Sequence, residues 1–363
     1  MSTTNRIRTA LTELTGVEHP IVQTGMGWVA GPKLVTATAE AGGLGILASA
    51  TMTYAELEKA IIETKSRTDK PFGVNLRADA ADAMDRVNLL IKHRVKVASF
   101  ALAPKRELID KLKENDAVVI PSVGLPRHAE KVASWGADAV MIQGGEGGGH
   151  TGATPTTLLL PTVLDAVDIP VIAAGGFFDG RGLAAALSYG AAGIGMGTRF
   201  LLTSDSAVPE HIKRRYLEFG LDGTVVTAKA DGMSHRLLRT EFIDGLESGS
   251  PVSRMLGTLR RSMQFKELSG LSWAGMARDG LSMKKSSGRS WGQMMLAANT
   301  PMLLKAGLVD GDTQAGMLAS GQVVGVIDDL PTCEQLVDRI IDEAVQRLAV
   351  VSGYAQTRDQ SVA

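Results

Sequence analysis

Residues 170–198 read PVIAAGGFFDGRGLAAALSYGAAGIGMGT. An apolar run, Pro170–Ala174, ends in Gly175-Gly176. An Ala/Leu-rich segment, Gly182–Tyr189, follows, and a second apolar run, Gly193–Met196, ends in Gly197-Thr198. Runs that are apolar throughout, rather than alternating, suit strands covered on both faces, as in parallel sheets. Parallel neighbours need a helix-length crossover, and Gly182–Tyr189 supplies one. The stretch reads as a strand–helix–strand unit whose glycines collect at the strands' C-terminal ends.

The same rhythm extends towards the N-terminus. Six further runs have this character: Pro20–Gln23, Leu44–Leu47, Pro71–Asn75, Val97–Ala101, Ala117–Pro121 and Ala139–Gln143. Helix-like segments lie between them, at Tyr54–Lys65, Ala81–His93, Lys105–Glu114 and Arg127–Trp135. Eight units at regular spacing predict an α/β fold, a closed (β/α)8 TIM barrel, with an open doubly wound sheet as the alternative. After Thr198 the rhythm stops. Residues 204–300 are expected to form a helical excursion after the eighth strand, lying over the barrel mouth. This divides the chain into a barrel (1–203), a lid-like excursion (204–300) and a return to the barrel (301–363), with Pro331–Val350 as the closing helix.

Composition narrows the function classes. The 363 residues carry a formal net charge of −1 and only 4% aromatics, so neither a global basic field nor a base-stacking surface points to nucleic acid. Cys333 is the only cysteine, which excludes an intrachain disulfide and a cysteine-rich metal site. No apolar run approaches membrane-spanning length and residues 1–16 lack the apolar core of a secretory signal, so a cytoplasmic, soluble protein is expected.

In this fold the chemistry sits where strands end. The run Gln143–Gly152, QGGEGGGHTG, follows the sixth strand and carries His150 with Glu146 nearby. Imidazole gives and takes protons near neutral pH, so His150 is the candidate acid/base; a loop histidine bonded only for structure is the alternative. Gly175, Gly176, Gly197 and Thr198 end successive strands, where barrel enzymes build phosphate sites from backbone N–H groups. The bland reading of these glycines is tight turns. Histidines His19, His93, His128, His211 and His235 fall in helices or surface-like loops, with His235 the least remote because it lies in the excursion. Between Pro251 and Ser290 eight basic residues face two acidic ones, a net +6 on a chain of −1. Such a segment would attract an anion, unless acids elsewhere balance it.

The segments Pro20–Gly27, Ala41–Gly45, Gly73–Leu76, Gln143–His150, Ala174–Gly182, Met196–Leu201 and Ala319–Asp328 resemble the nitronate monooxygenase (2-nitropropane dioxygenase-like) flavoproteins. That family also contains quinone reductases and enoyl-thioester reductases. The resemblance implies FMN, with contacts at Thr24, Gly25, Met26, Asn75, Gln143 and Gly148 and with Ser122 near the flavin. It places the FMN phosphate at Gly175, Gly176, Gly197 and Thr198 and matches His150 to the family's catalytic histidine. Gly147 departs from the family's usual alanine. Within the family the chain is similar to an actinobacterial subgroup of steroid C/D-ring breakdown whose substrate is a bicyclic CoA thioester. The resemblance therefore implies desaturation or reduction of a cyclic acyl-CoA, with Arg260, Arg261, Lys284 and Lys285 as candidates to hold the CoA phosphates. Nitronate oxidation with oxygen, quinone or enoyl-thioester reduction with NAD(H) as electron partner, and a non-catalytic phosphate-ligand binder are the alternatives. A small-molecule substrate, no nucleic acid and no membrane are expected, and a homo-oligomer is left open.

Overall fold

A computed structural model describes residues 5–229, 232–248, 291–312, 314 and 316–354, with the backbone alone for 291–299. Eight parallel strands close on themselves: β1 Ile21–Gln23, β2 Leu44–Ala48, β3 Phe72–Leu76, β4 Val97–Phe100, β5 Val118–Val123, β6 Val140–Gln143, β8 Val171–Ala174 and β9 Gly193–Met196. Closure is made where β1 pairs with β9, in the register Ile21↔Ile194, Val22↔Gly195 and Gln23↔Met196. The closed barrel stands and the open sheet falls, because both of its edges would have to be unpaired.

Side-chain period two sorts each strand into two faces. Val22, Leu44, Ile46, Val97, Val118, Ile120, Met141 and Ile172 form the packed barrel interior. Ile21, Leu47, Val74, Phe100, Val119, Val140, Ala173 and Ile194 belong instead to the larger core beneath the helices. The lower end is stoppered by α1 (Ala10–Thr15): a Cβ on Gly193 would lie 2.8 Å from Leu11 Cδ2.

The helical wall comprises α2 (Pro32–Glu40), α3 (Tyr54–Arg67), α4 (Ala83–Lys92), α5 (Arg106–Lys113), α6 (Pro126–Ala133), α7 (Thr156–Leu164) and α8 (Gly180–Tyr189). A short α9 (Thr198–Leu201) follows β9. Several begin as their sequences dictate: Thr53 and Glu56 form a capping box on α3, and Asp179 caps α8 by accepting the Gly182 N–H at 3.0 Å.

The excursion differs from expectation. It opens with α10 (Glu210–Tyr216), but then forms an antiparallel hairpin of β10 (Thr224–Thr227) and β11 (His235–Leu238). β11 in turn pairs with β7, the two residues Gly149-His150, through His235↔His150 and Arg236↔Gly149. Four-residue strands carry little periodicity, and this hairpin is fixed by a partner some 90 positions away in the chain, which local propensity does not register. Helices α11 (Glu241–Ser248) and α12 (Trp291–Leu308) follow.

The chain returns through a segment at 317–327 to α13 (Cys333–Ser352), capped by a Thr332/Gln335 box. α13 lies across α8 at Gly180. An added Cβ there would stand 2.5 Å from Ala344 N and 2.6 Å from Glu343 Cβ, and the Gly180 N–H donates to Glu343 Oε2 at 2.9 Å. Only a residue without a Cβ lets the two backbones approach this closely. Among the described residues no helix is long and apolar enough to cross a membrane.

Replacing Gly180 by alanine should therefore force α13 off the barrel wall and cost about 1–3 kcal/mol, read as a lowered thermal unfolding midpoint.

Candidate active site

At the strands' C-terminal ends the inward ladder changes character. Below lie Val22, Val97, Ile120 and Met141; two residues on, at the rim, the same faces carry Thr24, Ser99, Ser122 and Gln143, with Asn75 on β3. These polar groups hold one another. Asn75 Nδ2 donates to Ser99 Oγ at 3.2 Å, and the Asn75 carbonyl accepts from the Ser49 hydroxyl at 2.7 Å. The Thr24 N–H donates to Met196 O at 3.1 Å. Gly25 lies so close over Asn75 that a Cβ would be 2.6 Å from Asn75 Cβ, and a Cβ on Gly197 would be 3.4 Å from Met26 Sδ. Thr24, Gly25, Met26, Asn75 and Gly197 thus share one edge of the mouth.

The loop after β6 is built as a rigid body. Its Gly144 N–H donates to Ala174 O at 2.8 Å. Glu146 turns its carboxylate back to Thr156 at the start of α7, accepting the backbone N–H at 3.0 Å and lying 2.8 Å from the hydroxyl. That hydroxyl is also 2.9 Å from Gly175 O, so its single proton is shared between the loops after β6 and β8. Gln143 Nε2 donates to Gly148 O at 3.1 Å and His150 O at 2.9 Å, which folds the loop over the end of its own strand. Gly148 packs on the return segment: a Cβ would come within 2.5 Å of Gly321 N. The Gln322 N–H donates to Glu146 O at 2.9 Å.

Gly175 and Gly176 adopt φ of +102° and +85°, the left-handed region that glycine alone enters without strain. Across from them the Thr198 hydroxyl accepts the Gly321 N–H at 2.8 Å and keeps its own proton to give. Main-chain amides without a Cβ in the way, plus a hydroxyl donor, are the donor set a phosphate needs. The Glu146 carboxylate beside Gly176 is turned to Thr156, and the residues present fit an FMN phosphate. Arg199 is 2% exposed and anchors the return segment through Asp329 Oδ1 at 2.8 Å. Burial pushes the Arg199 guanidinium down, against the pull of Asp329. Burial raises the Asp329 carboxyl, but hydrogen bonds from Arg339 and Arg199 prevail and hold it below its ordinary value.

His150 is exposed at this rim, and its ring centroid lies 4.6 Å from that of His235, which is only 2% exposed. Next to it Arg236 donates to Gly145 O at 2.8 Å and to Thr224 Oγ1 at 2.9 Å. Its guanidinium is pushed down by burial, partly offset by Glu146.

The structure thus gathers Thr24, Gly25, Met26, Asn75, Ser122, Gln143, Gly148, His150, Gly175, Gly176, Gly197 and Thr198 at the C-terminal ends of the barrel strands. Arg260, Arg261, Lys284 and Lys285 lie outside the described residues. His235, expected in a helix or surface-like loop, is a buried strand residue, and His19 is buried at 4% exposure with its charged form disfavoured by burial. Sequence reading missed Ser99, which period two along β4 would have found. It also missed Thr156 and Arg236, which reveal themselves only through long-range contacts. Trp28 also borders the mouth. It stands at φ +66°, and its indole N–H donates to Pro301 O of α12 at 2.7 Å.

The family model described as nitronate monooxygenase matches residues 8–91 and 84–343. A Mycobacterium tuberculosis protein named (3aS,4S,5R,7aS)-5-hydroxy-7a-methyl-1-oxo-octahydro-1H-indene-4-carboxyl-CoA dehydrogenase is 65% identical over 354 residues, 97% of this chain and 100% of its own. A Rhodococcus jostii protein of the same name is 65% identical over 94% of this chain and 97% of its own. Among solved structures, FabK from Thermotoga maritima superimposes with a TM-score of 0.79 at 35% identity, covering 96% of this chain and 100% of that one.

The packing of the loop separates two neighbouring glycines. Gly148→Ala should drive the loop off Gly321 and lower thermal stability by about 1–3 kcal/mol. Gly152→Ala, whose Cβ meets nothing within 4 Å, should leave the unfolding midpoint unchanged.

Proposed function

The chain belongs to the nitronate monooxygenase family and is an oxidoreductase, and from that premise we propose that it is an FMN-dependent dehydrogenase of a bicyclic, steroid-derived CoA thioester. The observation that carries this reading is the placement of His150. It is exposed at the mouth, its carbonyl held by Gln143, on a loop bound through Gly148 to the same return segment that bonds Thr198. A proton acceptor and a phosphate-type donor set therefore share one rim.

A carbon next to a thioester carbonyl is acidic enough to lose a proton to a positioned base, while the neighbouring carbon gives up a hydride. When bound, FMN supplies the two-electron acceptor for that hydride. In this reading His150 takes the proton. Gly175, Gly176, Gly197 and Thr198 hold the FMN phosphate, while Thr24, Gly25, Met26, Asn75, Ser122, Gln143 and Gly148 line its remaining length. Gln143, by bonding the carbonyls of Gly148 and His150, keeps the proton acceptor at a fixed height above the barrel end. Arg260, Arg261, Lys284 and Lys285 hold the CoA phosphates, a role supported by the local excess of basic residues between 251 and 290. The two relatives at 65% identity support the thioester over a nitronate, since both are named for a CoA substrate.

The deciding experiment mixes the purified, FMN-loaded protein anaerobically with 5-hydroxy-7a-methyl-1-oxo-octahydro-indene-4-carboxyl-CoA and follows loss of the yellow flavin absorption. Bleaching is expected; no bleaching, together with oxygen uptake on propionate 3-nitronate, would replace the thioester by a nitronate. Reoxidation of the bleached protein with NAD+ or a quinone in the same cuvette identifies the electron partner. His150→Ala should keep its FMN and bleach about 10²- to 10⁴-fold more slowly. The double reversal Arg260→Glu/Arg261→Glu should raise the KM for the thioester by about tenfold or more, an effect that shrinks at high salt.

A further inference from the structure

β7 is two residues long, too short to fix the direction of a side chain by itself. Its ladder is supplied by β11. The Thr151 N–H donates to Ser234 O at 3.1 Å, so His150 and His235 stand one step along, at the kind of position where facing side chains of an antiparallel pair come closest. The rings meet there at 4.6 Å and 46°. The two partners are unequal. His150 is exposed, whereas His235 is buried beside Leu237 and Leu238, which are fully covered. The backbone of β11 is pinned on both sides, by β10 and by the Leu238 N–H donating to Leu318 O at 2.8 Å. An exposed imidazole therefore lies against a buried one.

We propose that His235 is a positioning residue for His150. Its ring, fixed within the three-stranded sheet, restricts the His150 imidazole to one orientation and so removes rotamer freedom before substrate arrives. An exposed side chain otherwise spends that freedom at the moment of reaction, and an acceptor displaced by about 1 Å costs on the order of 10²-fold in rate. This rests on the reading of His150 as the proton acceptor.

Two variants of similar bulk separate a ring platform from mere filling of space. With FMN-loaded protein and the bicyclic CoA thioester named above, His235→Leu should slow anaerobic flavin bleaching by about 10- to 100-fold. Its KM and bound FMN should stay within about twofold of the parent. His235→Phe, which keeps a ring against His150, should restore most of the rate. In the His150→Ala background, His235→Leu should have no further effect. A second readout needs no turnover. In protein labelled at histidine ε1-carbon, the resonance lost in His150→Ala should shift or broaden in His235→Leu and stay near its parent position in His235→Phe. A parent-like rate in His235→Leu, equal losses in the Leu and Phe variants, or the same loss with His150 absent would each overturn the proposal. If His150→Ala itself bleaches at the parent rate, the acid/base reading fails instead, and the resonance of His150 still decides whether His235 orders it.

Discussion

The pairing of β1 with β9 is the constraint on which everything else hangs. Three residue pairs turn a sheet with two edges into a ring with none. Once the ring is closed, strand spacing sets the positions of all eight strand ends, and loops far apart in sequence must share one rim. Thr24 and Gly197 are more than 170 positions apart, yet a hydrogen bond of 3.1 Å from Thr24 to Met196 makes them neighbours. The apolar plug below keeps this geometry from collapsing, since a packed interior resists small displacements.

On that ring a second layer of order is imposed by the return segment. Residues 318–322 meet β11 through Leu238, the loop after β6 through Glu146 and the start of α9 through Thr198. The hydrogen bonds are individually worth about 1 kcal/mol, but they tie a strand, a loop and a helix start to one segment. The pair between buried Arg199 and half-buried Asp329 fixes where the segment re-enters the wall. Rigidity at the rim is thus produced by chain that comes after the barrel.

The eight strands and the glycine-bearing strand ends were legible because each is written locally: an apolar run, then glycine or a small polar residue. Their physical signal is burial on both faces, which a single sequence displays. Ser99 was equally legible, had the alternation along β4 been followed two residues beyond Val97. The hairpin was not. Thr224–Thr227 and His235–Leu238 become strands by pairing with each other and with Gly149-His150, and no window of four residues carries that information. His235 shows the same limit in one residue: its type was visible, its burial against His150 was not. Thr156 likewise looks like an ordinary helix-start threonine until the fold brings Glu146 and Gly175 to its hydroxyl.

The hairpin also fixes what is separable in this protein. His150 belongs by sequence to the barrel, yet its strand partner belongs to the stretch that follows the barrel. A chimera that grafts another protein's residues 204–300 onto this scaffold would exchange the strand that pairs with Gly149-His150 along with the rest of that stretch. Variation along His235–Leu238 therefore reaches the histidine even when every barrel residue is kept. The seam between scaffold and attachment runs through two pairs of facing residues, His150 with His235 and Gly149 with Arg236.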